Sequence, residues 1–89
     1  MKAVVTVVGK DQVGIIAAVC AELANYRVNV LDISQTVMQG YFTMMMVVDV
    51  TESTLPLAEL VKAMDEKGKS MELSIRLQRA DIFDAMHRV

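Results

Sequence analysis

The stretch VNVLDISQTVMQGYFTMMMVVDV, residues 28–50, constrains this chain more than any other part of it. Polar and apolar residues alternate through 28–38. Leu31, Ile33 and Val37 fall on one face with Asn29 and Gln35, and Asp32, Ser34 and Thr36 fall on the other. Residues 41–50 read as a return strand, with Phe42, Met44, Met46, Val48 and Val50 on one face. Gln39–Gly40 between them suits a hairpin turn. A two-stranded hairpin is marginal by itself, so the flanking segments must supply further strands and a packing layer.

The flanks do so in matching order. Residues 2–9, KAVVTVVG, are rich in β-branched types and predict a strand. Residues 13–27 predict a helix, with Ile16, Val19, Cys20 and Leu23 on one face. Asp11 or Gln12 is placed to start that helix, and Arg27 to lie in its last turn, where a cation suits the helix dipole. After the hairpin comes a polar break, 51–55. Pro56 then suits the first turn of a second helix, whose stripe is Leu57, Leu60, Val61 and Met64 and whose stop is Gly68. Residues 71–79 alternate again, with Met71, Leu73, Ile75 and Leu77 inward. Residues 80–88 predict a short amphipathic tail helix carrying Ile82, Phe83 and Met86. Two strand–helix–strand units in one small sheet predict an α+β fold, the ferredoxin-like βαββαβ sandwich. Both helices should cover one face of a four-stranded antiparallel sheet. The other face, with Tyr41, Thr43, Met45 and Val47, is left open as a surface for a partner. We read residues 1–89 as one domain, with a core at 2–79 and a tail at 80–89.

Composition narrows the function. Hydrophobic residues make up 54% of the 89-residue chain, high for so small a domain, which suggests burial in an interface as well as a core. No apolar run reaches the roughly 20 residues of a membrane span. No signal peptide is visible, so a cytoplasmic protein away from membranes is expected. The formal charge is −2 and the nine Lys and Arg are scattered, which argues against nucleic acid as a partner. Four Phe and Tyr in all, with Val and Met on the central strands, do not make a base-stacking platform. One cysteine, Cys20, forms no internal disulfide and suits a reducing compartment; on the inner face of the first helix it reads as a small hydrophobe. His87 has no second ligand nearby, and the eight methionines read as core and interface filler. Asp32, Asp49 and Glu52 fall on different faces or in loops. With no nucleophile–base set, we expect no catalytic residues, no metal, no cofactor and no enzyme.

The remaining feature is GKDQVG, residues 9–14, at the junction of the first strand and first helix. A helix N-terminus offers unsatisfied N–H groups and partial positive charge, which suits a carboxylate. Gly14 lets backbone approach closely, or serves helix–sheet packing. Asp11 is either a cap or a contact for an ammonium group. Gly9 and Lys10 are either turn residues or, for Lys10, an anion contact. Asn29 either closes a turn or, as both donor and acceptor, meets a ligand. An acyl-phosphate hydrolase would want an arginine in this loop and a soft-metal chaperone two cysteines; neither is present.

From the first strand through Asp11-x-x-Gly14-Ile15, the helix, and Asn29 at the start of strand two, the chain resembles the ACT domain over residues 2–79. It is similar to stand-alone bacterial single-ACT proteins of the UPF0237 group and to the first domain of glycine-cleavage repressor-like regulators. The resemblance implies a regulatory homodimer that binds an amino acid or related small metabolite at its interface, through Lys10, Asp11, Gln12, Val13, Gly14, Ile15 and Asn29. It would signal through an effector partner or a change of oligomer. The alternative is a protein-interaction or oligomerisation module with no ligand. Whether the dimer forms edge to edge or through the open sheet face stays open.

Overall fold

The computed structural model describes residues 1–86. Its order is β1 (Lys2–Lys10), α1 (Ile15–Asn25), β2 (Asn29–Met38), β3 (Tyr41–Asp49), α2 (Leu57–Ser70), β4 (Ser74–Arg79) and α3 (Ala80–Met86). The strands form one antiparallel sheet in the order β2-β3-β1-β4. The fold is the expected ferredoxin-like sandwich with a C-terminal helix. His87 lies outside the described residues.

The β-branched run of β1 sits at the centre, where each side chain meets two neighbouring strands. Ala3, Val5 and Val7 pair with Val48, Met46 and Met44, and all six are fully buried under the helices. Ile15, Val19 and Leu23 of α1 and Leu60 and Met64 of α2 close that core. Ile16 and Cys20 pack at its margin, partly buried. No polar or charged residue is buried among the described residues.

The central turn forms as expected. Gln39 and Gly40 have φ of 51° and 82°, both positive, as a primed two-residue hairpin requires. Three local expectations are corrected. The first helix begins at Ile15, with Gly14 (φ 88°) as its N-cap residue and no side-chain cap, so neither Asp11 nor Gln12 caps it. The Asp11 backbone N–H is instead drawn to the Gly40 carbonyl at 2.8 Å, which holds the loop against the hairpin turn. At its other end α1 stops at Asn25. Arg27 lies beyond the last turn at φ 60°, where its N–H donates to Ala24 O and that of Val28 donates to Leu23 O. Gly68 does not stop α2 either. It lies inside the helix, buried, where an added Cβ would stand 2.7 Å from Leu73 O and 3.0 Å from Ile75 Cγ1. Its small size lets α2 approach β4.

The faces of β2 differ from the simple alternation. A bulge between Val30 and Asp32 takes Leu31 out of register. Ile33, Gln35 and Val37 stand opposite Met46, Met44 and Phe42 on the helix side. Asn29, opposite Asp49, therefore points to the other face and not with Ile33 and Val37 as alternation alone predicts. The tail helix α3 turns back over the open side. Val4, on that side, is buried, and its neighbour Gln78 donates Nε2 to Met86 Sδ at 3.7 Å. Tyr41, Thr43 and Met45 stay exposed on the uncovered half.

Overpacking a well-packed contact costs about 1–3 kcal/mol. Gly68→Ala should destabilise the fold by about 2 kcal/mol, read as a lower urea midpoint at unchanged slope, because the Leu73 carbonyl just before β4 and Ile75 within it block the new methyl group.

Candidate functional site

The loop leaving β1 stands at one end of the sheet. Lys10 ends the strand, exposed, and Val13 is wholly exposed. Gln12 Nε2 donates to Met71 O at 3.0 Å, which ties the loop to the turn after α2. Ile15 buries its side chain in the core and leaves only its backbone to the surface. The first intrahelical bond runs from Ala18 N to Gly14 O, so the N–H groups of Ile15, Ile16 and Ala17 have no partner within the helix. Gly14 has nothing within 4 Å of an added Cβ. Its smallness therefore serves the left-handed backbone and access, not helix–sheet packing.

These N–H groups border a cleft of about 240 Å³ between the start of α1 and the edge strand β2. Asp11, Gln12 and Gly14 form one wall; Gln35, Val37 and Phe42 form the other. The second wall was not expected. Its sequence signal is Gln35, the one polar side chain between Ile33 and Val37 on an otherwise apolar face. A larger hollow, about 460 Å³, runs along α2 and β4 with Lys62, Asp65 and Arg76 on its rim. It is far from the loop and lies on the opposite edge of the sheet.

Asp11, Gln12, Gly14 and Ile15 line this cleft; Lys10 and Val13 stand on the same loop outside its lining, and Asn29 is not among them. In register Lys10 lies beside Tyr41, whereas Asn29 lies beside Asp49, whose neighbour on the far side is Lys2. The length of β1 separates them, roughly 26 Å at the rise of a strand. Asn29 borders a second cleft, about 270 Å³, with Arg27, Asp49, Thr51 and Glu52.

The electrostatics of both clefts are those of surface groups. Asp49 accepts from Thr51 N at 2.9 Å and from Thr51 Oγ1 at 2.6 Å. The Thr51 hydroxyl, then its backbone N–H, holds the Asp49 carboxyl below the usual carboxylate range. The Met1 amino group also contacts Asp49 and Thr51. Asp32 accepts from the N–H of Ile33. Asp32 lies in β2, Asp49 at the end of β3 and Glu52 in the turn beyond it. Among the described residues no cluster of His, Cys, Asp and Glu could hold a metal ion. No helix of the described residues is long and apolar enough to cross a membrane.

A four-stranded antiparallel sheet carries both helices on one face, and a glycine starts the first helix beside a free edge. That arrangement defines a small ferredoxin-like α+β domain. The model of the ACT domain family matches residues 2–78, and the chain belongs to this family. It is 51% identical over 89 residues to a UPF0237 protein of Clostridium acetobutylicum, covering 100% of each. Its structure is similar to that of an ACT domain protein from Streptococcus pneumoniae, with 42% identity, 98% of each chain covered and a TM-score of 0.83. A solved structure described as a glycine cleavage system transcriptional repressor shares the fold at 22% identity and a TM-score of 0.75. That match covers 89% of this chain and 45% of that one.

Two outcomes test this description of the site. Gly14→Ala should cost about 1–2 kcal/mol of stability, because a side chain is strained at φ 88° whatever the space around it. The Asp49 carboxyl titrates lower in the folded chain than in the unfolded one, so its contribution is complete above the ordinary value of 3.8 and fades as pH falls below it. Unfolding midpoints measured from pH 2.5 to 7 should therefore decline less steeply below pH 4 for Asp49→Asn than for the wild type.

Proposed function

We propose that this chain is a regulatory module, not an enzyme, that pairs through β2 into a homodimer and binds an amino acid or related small metabolite there. The observation that carries the reading is the free edge beside the cleft. Leu31, Ile33 and Val37 are 46%, 39% and 54% exposed on this edge strand. Such an edge, with unpaired backbone groups and one charge in ten residues, is a template for a second strand. Antiparallel pairing of β2 with its copy covers these side chains and makes a continuous eight-stranded sheet.

The same pairing brings the partner's Asn29 to this end of the sheet. In an antiparallel pair the beginning of one strand lies beside the end of the other. A two-fold axis near Ile33 brings the start of the partner's β2, with Asn29, to the Val37 end of this strand, near the Asp11–Ala17 cleft but, past the bulge, on the face away from the helices. The ligand carboxylate then meets the α1 N-terminus, and Asp11 meets the ammonium. Ligand occupancy is coupled to the dimer, and the signal passes to an effector protein or through the change of oligomer. A reducing cytoplasm suits the lone thiol of Cys20. A second reading, an interaction module without a ligand, is favoured by the exposed Tyr41 and Met45 on the uncovered half of the sheet.

Light scattering after size exclusion should give a dimer for the wild type and a monomer for Ile33→Glu, which puts a charge on the paired edge. A thermal-shift screen of the proteinogenic amino acids should raise the melting temperature for one or a few. At a hundred times the dissociation constant the gain is about 2.7 kcal/mol, on the order of 10 °C for a domain of this size. Asp11→Asn should reduce that rise. A wild-type monomer sinks the pairing, and a flat screen sinks the ligand and moves the reading to the interaction module.

A further inference from the structure

The tail helix α3 is apolar on two sides. Ala80 and Phe83 are half-buried, on the side where α3 packs over β1 and β4. Ala85 and Met86 stand three and four residues after Ile82, so these three share a second side, and all three are exposed. A surface helix ordinarily buries one apolar stripe and turns a polar side to solvent. In α3 the outward side is apolar, and its carboxylates, Asp81 and Asp84, lie along one margin of it.

The uncovered half of the open sheet face matches that helix in size and in charge. It consists of the rows of Tyr41, Thr43 and Met45, with Val8 exposed between the last two on the neighbouring strand. The rows of Tyr41 and Met45 are about 14 Å apart, and the four strands span about 14 Å. A helix with its side chains is about 10–12 Å across, and seven residues of it are about 10 Å long. One further helix the size of α3 fits there. In a chain of formal charge −2 these rows hold two cations, Lys10 and Arg76, and no carboxylate. Asp11 and Glu72 lie beyond the strand ends. The ion pairs among the described residues are made by other groups, so both cations are unspent. Asp84, exposed on α3, is equally without an ion pair among the described residues.

We propose that this half-face is covered by the α3 helix of a second copy of the chain, docked reciprocally. A two-fold axis parallel to the sheet and across the strands brings two open faces together. Each α3 then keeps the covered half of its own sheet and lies against the uncovered half of the other, over β1 and β4, between Lys10 and Arg76. Ile82, Ala85 and Met86 meet Val8 and Met45, and Asp84 meets the cations. One operation covers the outward stripe and the half-face of both copies, as an isologous contact requires. Two short helices bury less than the roughly 800 Å² per partner of a standard interface, so the contact is weak and closes in concentrated solution. It goes beyond the β2 pairing and does not rest on it. A dimer paired through β2 carries both open faces on one side, so two such dimers stack sheet to sheet with two of these contacts at once.

Sedimentation velocity across a concentration series tests the docking. The wild-type mass should double between about 5 μM and about 1 mM, the range of a weak contact. Ala85→Arg puts a long cation into the contact, and Asp84→Arg sets a like charge beside Lys10 and Arg76. Both positions are exposed, so both variants should unfold at the wild-type midpoint, keep the wild-type dilute mass and need about tenfold more protein to double it. Arg76→Glu combined with Asp84→Arg restores opposite signs and should recover most of the association. The dilute mass reports the β2 edge and the doubling reports this contact, so either reading can fail alone. A wild-type mass that stays constant throughout overturns the docking and leaves the face to a different protein. Doubling of Ala85→Arg at wild-type concentrations, or a charge swap that recovers nothing, overturns it as well.

Discussion

The pairing of β1 with both of its neighbours is the interaction on which the rest of the molecule depends. All nine residues of the strand pair with β3, and six of them pair with β4 as well. Each residue facing the helices is Ala or Val, apart from Gly9 at the strand's end. A row of short, branched side chains at the centre of a sheet leaves room for the longer methionines of β3 and for two helices above. Because β1 is held on both sides, its last residue is a fixed point. The loop that follows, and with it the start of α1, inherits that position.

The two edges of the sheet are built differently. The β4 edge is six residues long and carries Arg76 and Arg79, and Arg79 is paired with Asp81 at the start of the tail helix. A short, charged edge discourages further pairing. The β2 edge is ten residues long, carries one charge and shows apolar side chains toward the helix side. The bulge at Leu31 gives this strand two characters, with Ile33 and Val37 on one face and Asn29, Asp32 and Ser34 on the other. The β2 edge is therefore the one open to a further strand, and both clefts bordered by β2 residues lie on that side.

Most of the architecture was legible in the sequence because its signals are local and repeated. The alternation in 41–50, that in 71–79, of which 74–79 form β4 and 71–73 the turn before it, the apolar period of both helices and the Gln39–Gly40 turn each specify an element without reference to the others. What was not legible depends on contact between elements. Gly68 resembles a helix stop in sequence, but its Cβ position is closed by β4, a strand that follows it. Arg27 looks like a last-turn cation until the backbone turns left-handed two residues after the helix ends. The bulge that moves Asn29 to the other face leaves no mark in the pattern, since Val30 and Leu31 are both apolar. For the candidate site, the loop 9–14 was visible as an anomaly of composition. Its opposite wall at Gln35, and the distance between that loop and Asn29, follow only from the register of β1, β2 and β3.

The methionine triplet of β3 has a chemical consequence. Met44 and Met46 are fully buried and Met45, between them, is 43% exposed. Three identical thioethers in consecutive positions thus differ only in their access to solvent. Oxidation to the sulfoxide follows that access. The strand carries an internal footprint, in which the middle sulfur reports whether the open side of the sheet is covered and its two neighbours report whether the fold is intact.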